Sequence, residues 1–385
     1  MNNNKADRYR VVTSKLREIR ESLSITQTSL ALLLNKPQSY VAKIETSERR
    51  IDIVELKDWL DALNFSFGQF INDIGWTDEA TPKFDKYIYP LPRTVKATDS
   101  GISVKMNYPD GNIRIELTDV TVDQFKEVDA YLTTLYRGLN TSTRIKNREA
   151  ICQALEFAIS KFSYKANPSD IYQHIVYRTY LREYNKSDPE QSWRRAGGEA
   201  VELFVENHYK DRLLEHDIKI VALISRQQKE KALHDMNLSN IVGGSKLDVV
   251  LYGKHNSDWV VFGGIHCKAS LAERISDDIP TSRTMMNLNL LSLLYTFDSK
   301  SYPPPTGDLT NKGEFGTSRE PSDKRTYIES HGAFDACFCY NLRTQPSKEF
   351  TQSNKKIFVS SLDPRGDQMI DFICNHWNRY KSGLK

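Results

Sequence analysis

The sequence predicts a small all-α domain followed by an α/β domain, and three observations support this fold class. Residues 1–75 form short amphipathic segments whose apolar side chains recur at helical spacing. Residues 144–385 begin with helices and continue with strand-like runs, which is typical of an α/β domain. Between these parts, residues 76–143 predict a connector with a β-hairpin and a helix. A chain of 385 residues fits two or three domains at roughly 150 residues per domain.

Composition and charge restrict the class of protein. Hydrophobic residues make up 39% and charged residues 27% of the chain, which excludes a largely disordered protein. No stretch approaches the roughly 20 apolar residues of a membrane span, and the polar N-terminus lacks a secretory signal, so we expect a cytoplasmic protein without a membrane partner. The cysteines form no CxxC pair and the histidines have no zinc-site spacing, which predicts free thiols and argues against a zinc enzyme. The net charge of +3 does not by itself identify a nucleic-acid partner.

The first 75 residues predict four helices. The first includes residues 15–23, and the second follows Thr26, a residue type that is favoured as an N-cap. A break at residues 35–37 precedes a third helix over residues 38–45. A fourth, longer helix follows near residues 53–63.

The second and third of these helices carry a motif. Gln27 opens the second helix, Ser39–Glu45 lies in the third, and Glu48–Ile51 forms a tail. These residues resemble a helix-turn-helix of the Cro/repressor-like (XRE) kind. In such a motif, polar residues at the start of the third helix contact base edges in the major groove of double-stranded DNA. The alternative is a helical bundle that binds another protein.

The third helix carries the candidate DNA contacts on the side that we expect to be exposed. A glutamine amide pairs with adenine, whereas a lysine contacts guanine or phosphate. Val41 and Ile44 are expected to face the core of the domain. The candidate contacts are Gln38, Ser39, Tyr40 and Lys43.

Turn residues separate the strand-like runs in the rest of the chain. The run Tyr-Pro-Asp-Gly between residues 102–106 and 112–117 predicts a β-turn and therefore a hairpin. Helical spacing then returns over residues 121–139. The strands predicted for the α/β domain cover residues 218–224, 247–252, 259–268, 290–297, 333–341 and 356–362.

Two of these runs bring together side chains that suit hydrolysis of a phosphodiester. The polar turn at residues 253–258 predicts that the flanking runs form a hairpin, so the start of the first strand lies beside the end of the second. Asp248 and Lys268 are therefore expected to be close together. A carboxylate binds Mg²⁺ through hard oxygen ligands, and an ammonium group orients the attacking hydroxide.

A third candidate lies on a helix that begins near Arg194. Glu202 has apolar neighbours on its helix, so we expect its side chain to point inward toward the metal. Gly197 and Gly198 are expected to let this helix approach the hairpin closely.

Together these residues resemble the PD-(D/E)xK nuclease core, with Glu202 on a helix, Asp248 on a strand and Lys268 on the next strand. The resemblance implies a restriction-endonuclease-like α/β domain with a central mixed sheet. One position departs from the family pattern, because the acid expected two residues before the lysine is His266 here. The second carboxylate must then come from Glu202 or Glu273, and we favour Glu202. The expected Mg²⁺ ligands are Asp248, Glu202 and the backbone carbonyl of Cys267.

The segment after the lysine supports a narrower resemblance. Residues 268–283, 298–300 and 307–316 are similar to type II restriction endonucleases of the BsaWI kind. In related enzymes that recognise CCGG cores, charged residues just after the catalytic lysine contact the bases. The resemblance implies this role for Glu273, Arg274 and Arg283, whereas the alternative is that these charges only solvate a helix. A second (D/E)xK match, Asp298–Lys300, is an alternative catalytic pair.

We therefore expect an Mg²⁺-dependent, site-specific deoxyribonuclease that acts on double-stranded DNA. Two-fold symmetric sites require two active centres, so a homodimer is expected. The helix-turn-helix either extends recognition of the target or binds the operator of its own gene. The main alternative is a transcriptional regulator whose α/β domain is not catalytic, and a second is a nuclease that acts on modified DNA.

Overall fold

The chain divides into two compact units, Met1–Ile88 and Tyr89–Lys385. In the part of the chain that the structure describes, no helix combines the length and apolarity needed to cross a membrane. The structure, a computed structural model, describes residues 5–76, 93–108, 111–139, 143–184, 188–239, 247–271, 275–299 and 312–384.

The N-terminal unit is a bundle of short helices around its own core. Leu16, Val41, Ile44 and Trp59 are buried in this core. The predicted N-cap is confirmed, because the Thr26 hydroxyl accepts a hydrogen bond from the backbone of the first helical turn. All four predicted helices are present, and a fifth follows them. Their bounds are α1 Lys5–Ser22, α2 Gln27–Leu33, α3 Gln38–Glu45, α4 Ile53–Ala62 and α5 Phe67–Asp73.

The second unit begins with an antiparallel three-stranded sheet and a helix. The predicted hairpin is present, and a further strand precedes it. Apolar side chains of the hairpin, such as Val104 and Ile115, share the main core of the second unit. The sheet and helix of the predicted connector are therefore packed against the α/β domain, and the predicted domain boundaries stay a prediction. The elements are β1 Arg93–Thr98, β2 Gly101–Tyr108, β3 Gly111–Thr118 and α6 Val122–Arg137.

A six-stranded mixed sheet is the centre of the second unit, as the sequence predicted. Its strand order is β4-β5-β6-β7-β8-β9, in which the first three strands are antiparallel and the last four run parallel. All six predicted strands are present, although the last two are shorter than expected. They are β4 Ile218–Ala222, β5 Val249–His255, β6 Asp258–Lys268, β7 Leu291–Thr296, β8 Ala336–Cys339 and β9 Ile357–Val359.

Helices cover both faces of this sheet. Successive strand residues point to opposite faces, and the strands carry apolar side chains on both, so each face is buried under helices. Val249 packs into the main core on one face, whereas its neighbour Val250 packs into a second core on the other face. The main core includes residues of α6, α7 Arg144–Lys161, α10 Pro189–Leu214 and α14 Gln368–Ser382. It also includes residues of a continuous helical segment that consists of α8 Pro168–Asp170, a π-helical turn Ile171–Val176 and α9 Tyr177–Glu183. On the opposite face lie α11 Arg226–Asp235, α12 Ile275–Asn287 and α13 Asp323–Glu329.

Candidate active site and DNA-binding helix

The hairpin of β5 and β6 brings Asp248 and Lys268 together, which confirms the expected proximity. Val249 pairs with Ile265, so the residue before β5 lies beside the end of β6. Asp248 Oδ2 accepts a hydrogen bond from the backbone amide of Cys267 at 2.8 Å and lies 3.2 Å from Lys268 Nζ. The carboxylate is therefore held by the strand that carries the lysine.

Glu202 approaches this end of the sheet from α10. Its side chain is buried, and its Oε2 atom has no hydrogen-bond partner among the described residues. Burial raises the pKa of Glu202 to about 8, and the negative charge of Asp248 acts in the same direction. The two carboxylates therefore repel each other in a buried place, where an added cation stabilises both.

The glycines of α10 do not have the expected role. A Cβ atom at Gly197 would meet Trp193 of the same helix at 3.0 Å, and one at Gly198 would have no neighbour within 4 Å. The prediction that these glycines permit a close approach to the hairpin is wrong. The packing of Val201 and Val205 into the main core positions this helix instead.

A third buried carboxylate, Asp278, was not identified from the sequence. It lies at the start of α12, and its Oδ2 atom is 2.8 Å from Lys268 Nζ and 3.9 Å from Nδ1 of the fully buried His266. Ile265 and Cys267 pack on the face of α10, so His266 and Lys268 alternate to the face of α12. Asp278 thus places a carboxylate beside the position where the family pattern has an acid. The only sequence signal was a carboxylate ten residues after the lysine.

The lysine ammonium is held in its charged form. Burial lowers the pKa of Lys268, but the charges and hydrogen bonds of Asp248 and Asp278 raise it further, so the net shift is upward. Lys268 is therefore a donor of hydrogen bonds and positive charge at neutral pH, and it is unsuited to accept a proton.

The carboxylates at this end of the sheet suit a hard cation whose remaining ligands are water molecules. Among the described residues, no three His, Cys, Asp or Glu side chains are grouped closely enough to hold a metal ion. Asp248 and Glu202 nevertheless offer two carboxylates, and the Oε2 atom of Glu202 has no hydrogen bond within the part of the chain that the structure describes. Two carboxylates and the backbone carbonyl of Cys267 would be oxygen donors of the kind that Mg²⁺ takes, since Mg²⁺ usually binds one or two carboxylates and water.

The other predicted residues of this unit have different positions. Glu273, Arg274 and Lys300 lie outside the described residues. Arg283 is exposed on α12. Asp298 is fully buried, and its two carboxylate oxygens accept hydrogen bonds from the amide of Glu314 and from a threonine hydroxyl, so it is less available to a metal than Asp248.

In the N-terminal unit, a chain of hydrogen bonds orients the first residue of α3. Arg20 donates to both carboxylate oxygens of the buried Glu45, at 2.6 and 2.9 Å. Glu45 accepts from the amide nitrogen of Gln27 at 2.8 Å, and the amide oxygen of Gln27 accepts from Gln38 at 2.7 Å. Because the Glu45 carboxylate can only accept hydrogen bonds, it determines the orientation of the side-chain amides of Gln27 and Gln38.

Of the four candidate DNA contacts on α3, three are on the exposed side. Gln38, Ser39 and Lys43 are exposed, whereas Tyr40 is buried, with 7% of its surface accessible. The ring of Tyr40 packs 6.3 Å from that of Trp59, and the guanidinium of Arg49 lies over it at 4.5 Å. The expectation that Tyr40 lies on the exposed side is therefore wrong, because α4 covers this position.

Comparison with known proteins finds the same two parts. The family described as BsaWI restriction endonuclease type 2 matches residues 223–363, and a helix-turn-helix family matches residues 16–70. The type II restriction enzyme AgeI of Thalassovita gelatinovora is 44% identical over 265 residues, which cover 67% of this chain and 93% of AgeI. A crystal structure of a specific AgeI–DNA complex is similar to this chain with a TM-score of 0.66 and 42% identity, and covers 71% of this chain and 99% of that one.

A crystal structure of a pre-specific BsaWI–DNA complex is more distant, with a TM-score of 0.36 and 14% identity over 68% of this chain and 96% of that one. The similarity to AgeI does not favour a transcriptional regulator with a non-catalytic domain. With the mixed sheet, the Asp248–Lys268 pair and these relatives, the chain belongs to the type II restriction endonucleases of the BsaWI kind and carries a helix-turn-helix domain in its N-terminal part.

Proposed function

We propose that this protein is a Mg²⁺-dependent PD-(D/E)xK endonuclease that cuts double-stranded DNA at a CCGG-containing site. The observation that supports this most strongly is the position of the Lys268 ammonium, which contacts two buried carboxylates, while its charge also lowers the pKa of a third, Glu202. Asp248 and Asp278 hold the ammonium, and Glu202 has an oxygen atom free of hydrogen bonds within the described residues.

Each side chain has a distinct role in this proposal. Asp248, Glu202 and the carbonyl of Cys267 hold the metal ion. When it is bound, Mg²⁺ polarises the scissile phosphate and lowers the pKa of water. The attacking water gives its proton to solvent, and the resulting hydroxide accepts a hydrogen bond from the Lys268 ammonium. The hydroxide oxygen forms the new bond to phosphorus, the bond from phosphorus to one ester oxygen breaks, and that oxygen takes a proton from solvent.

Asp278 is proposed to act through Lys268. Its carboxylate supplies the negative charge that the family pattern places at the position of His266, and it orients the ammonium from the face of the sheet that α12 covers. Glu202 then remains the proposed relocated metal ligand, since the negative charge of Asp248 is close enough to raise the pKa of Glu202.

Base recognition is assigned to charged side chains that follow the lysine in sequence. An arginine pairs bidentately with guanine and a glutamate accepts a hydrogen bond from cytosine, which suits a site rich in G·C pairs. We propose Glu273, Arg274 and Arg283 for this role. A palindromic site of this kind requires two copies of the active centre, so the working enzyme is proposed to be a homodimer.

The helix-turn-helix is proposed to bind double-stranded DNA through Gln38, Ser39 and Lys43. The hydrogen bond from Gln38 to Gln27 leaves one amide N–H and the amide oxygen of Gln38 for an adenine edge. The same module suits either the cleavage site or an operator of the gene.

Digestion of a plasmid with and without Mg²⁺ tests the proposed function. We expect discrete fragments that require the divalent ion and are lost in Asp248→Ala and Lys268→Ala. Both variants should still bind DNA, because affinity comes mainly from other phosphate contacts. A smear of products would indicate a non-specific nuclease, whereas intact plasmid bound by the protein would favour the regulator. Cleavage restricted to modified plasmid DNA would favour a modification-dependent nuclease.

A further inference from the structure

The chain that leaves the active centre after β6 is held by one buried carboxylate. Glu314 Oε1 accepts a hydrogen bond from the hydroxyl of Ser270 at 2.7 Å and from the backbone amide of Leu271 at 2.9 Å. These donors lie two and three residues after Lys268. A single carboxylate oxygen therefore holds the chain directly beyond the catalytic lysine.

Glu314 is itself fixed at both ends. Its backbone amide donates to Asp298 Oδ1 at 2.7 Å, and its second carboxylate oxygen forms an ion pair with Lys324 of α13. Only 7% of the Glu314 side chain is exposed. The preceding Gly313 has a φ of +77°, and a Cβ atom there would lie 1.9 Å from Asp298 Oδ2, so the chain reaches this position only with glycine.

A backbone contact fixes the same segment from its other side. The amide of Ser299 donates to the carbonyl of Ala269 at 2.9 Å, which continues the pairing of β6 and β7 beyond their last residues. Residues 269–271 are thus held by the chain that follows β7 on one side and by Glu314 on the other. Three hydrogen bonds therefore fix the backbone and one side chain of this short segment.

We infer that Glu314 is a positioning residue for DNA recognition, because it holds Ser270 and Leu271, which lie in sequence between Lys268 and the proposed base contacts at Glu273 and Arg274. This inference rests on the proposed function. Leu271 lies only two residues before Glu273, so a change in its position is passed to the side chains that contact bases. Small displacements of this kind cost a large factor in rate or specificity.

Three variants test the inference with the full-length protein. Glu314→Ala removes the acceptor, Glu314→Gln retains an oxygen that can accept from both Ser270 and Leu271, and Glu320→Ala is a control at an exposed glutamate of the same segment. The measurements are cleavage of the cognate site and of sites with one base-pair changed, and Mg²⁺-free binding to the same DNA.

We expect Glu314→Ala to reduce the ratio of cognate to altered-site cleavage by about tenfold or more, and to reduce the ratio of the binding constants in parallel. At saturating cognate DNA, kcat should change by less than about threefold. Glu314→Gln should restore most of the discrimination, and Glu320→Ala should equal the wild type. If Glu314→Ala does not fold, Ser270→Ala provides the same test with a smaller expected loss.

Two results would overturn the inference. The first is a folded Glu314→Ala variant with the discrimination of the wild type, and the second is an equal loss of cleavage at cognate and altered sites. A wild-type protein that binds the cognate site specifically but never cuts DNA would instead refute the proposed endonuclease activity. The ratio of binding constants would still test the role of Glu314 in that case.

Discussion

The Lys268 ammonium lies closer to Asp278, at 2.8 Å, than to its hairpin partner Asp248, at 3.2 Å. The two carboxylates belong to different elements, since Asp278 lies in the first turn of α12 and Asp248 directly precedes β5. Lys268 therefore links the active-site hairpin to the helix that follows it in sequence.

Asp278→Asn should lower kcat by about ten- to a hundredfold and leave DNA affinity unchanged, because an amide orients the Lys268 ammonium less strongly than a carboxylate does. Single-turnover cleavage and Mg²⁺-free binding measure the two quantities. The double variant His266→Asp with Asp278→Asn should regain part of the activity, because it returns a carboxylate to the position that is acidic in the family. If Asp278→Asn needs much more Mg²⁺ and is otherwise fully active, Asp278 is a metal ligand and its positioning role is wrong.

Glu202→Gln should reduce cleavage by about a hundredfold or more and raise the Mg²⁺ concentration required for half-maximal activity, since an amide is a weaker ligand for a hard cation. Metal titrations of cleavage provide the measurement. Glu215→Gln, an exposed position just beyond the end of α10, is the matched control. Normal metal dependence of Glu202→Gln would return attention to Glu273 as the ligand.

Asp298 should make the stability of the second unit depend on pH. Burial raises the pKa of Asp298 from 3.8 to about 6. The hydrogen bonds that Asp298 accepts from Thr344 and from the amide of Glu314 lower this pKa in part. The negative charge of Glu314 raises the pKa of Asp298, and the positive charge of Lys324 lowers it. The raised pKa means that the folded chain binds the proton more tightly. This contribution is therefore fully present below about pH 4 and is lost as the pH rises through about 6.

Asp298→Asn should remove this dependence, which amounts to about 3 kcal/mol. An asparagine can accept from the amide of Glu314 and donate to the hydroxyl of Thr344, so the hydrogen bonds are kept. We expect a higher melting temperature than the wild type at pH 8 and a smaller difference between pH 5 and pH 8. The exposed Asp258→Asn is the control. A lower melting temperature at pH 8 would show that the ionised carboxylate stabilises the fold.

Lys43→Ala and Tyr40→Ala should affect the helix-turn-helix in different ways. Lys43 is exposed, so its loss should weaken DNA binding and reduce the slope of log K against log salt by about one, without changing stability. Tyr40 is buried against Trp59, so its truncation should destabilise the N-terminal unit by about 3 kcal/mol or more. Thermal unfolding and salt-dependent binding of the full chain separate the effects. Unchanged stability of Tyr40→Ala would contradict its place in the core.

Local patterns were sufficient to predict most elements of the fold. Helical spacing and the Thr26 cap predicted the N-terminal helices, and turn residues predicted the hairpin that joins Asp248 to Lys268. These predictions succeed because each depends on residues that are near in sequence or lie on adjacent strands. The resemblance to the nuclease family also depended on short segments around Asp248 and Lys268.

By itself, then, the sequence predicted the helical N-terminal part, the α/β part and the pair Asp248–Lys268, and its resemblance to the nuclease family implied the mixed sheet. Only the tertiary structure placed Asp278 beside Lys268, because this contact requires α12 to pack back over the sheet from the face opposite α10. The burial of Tyr40 was likewise decided by α4, which covers a side of α3 that spacing alone suggested to be exposed. In both cases the deciding neighbour comes from another helix, and a periodic pattern within one helix carries no information about which other helix covers it.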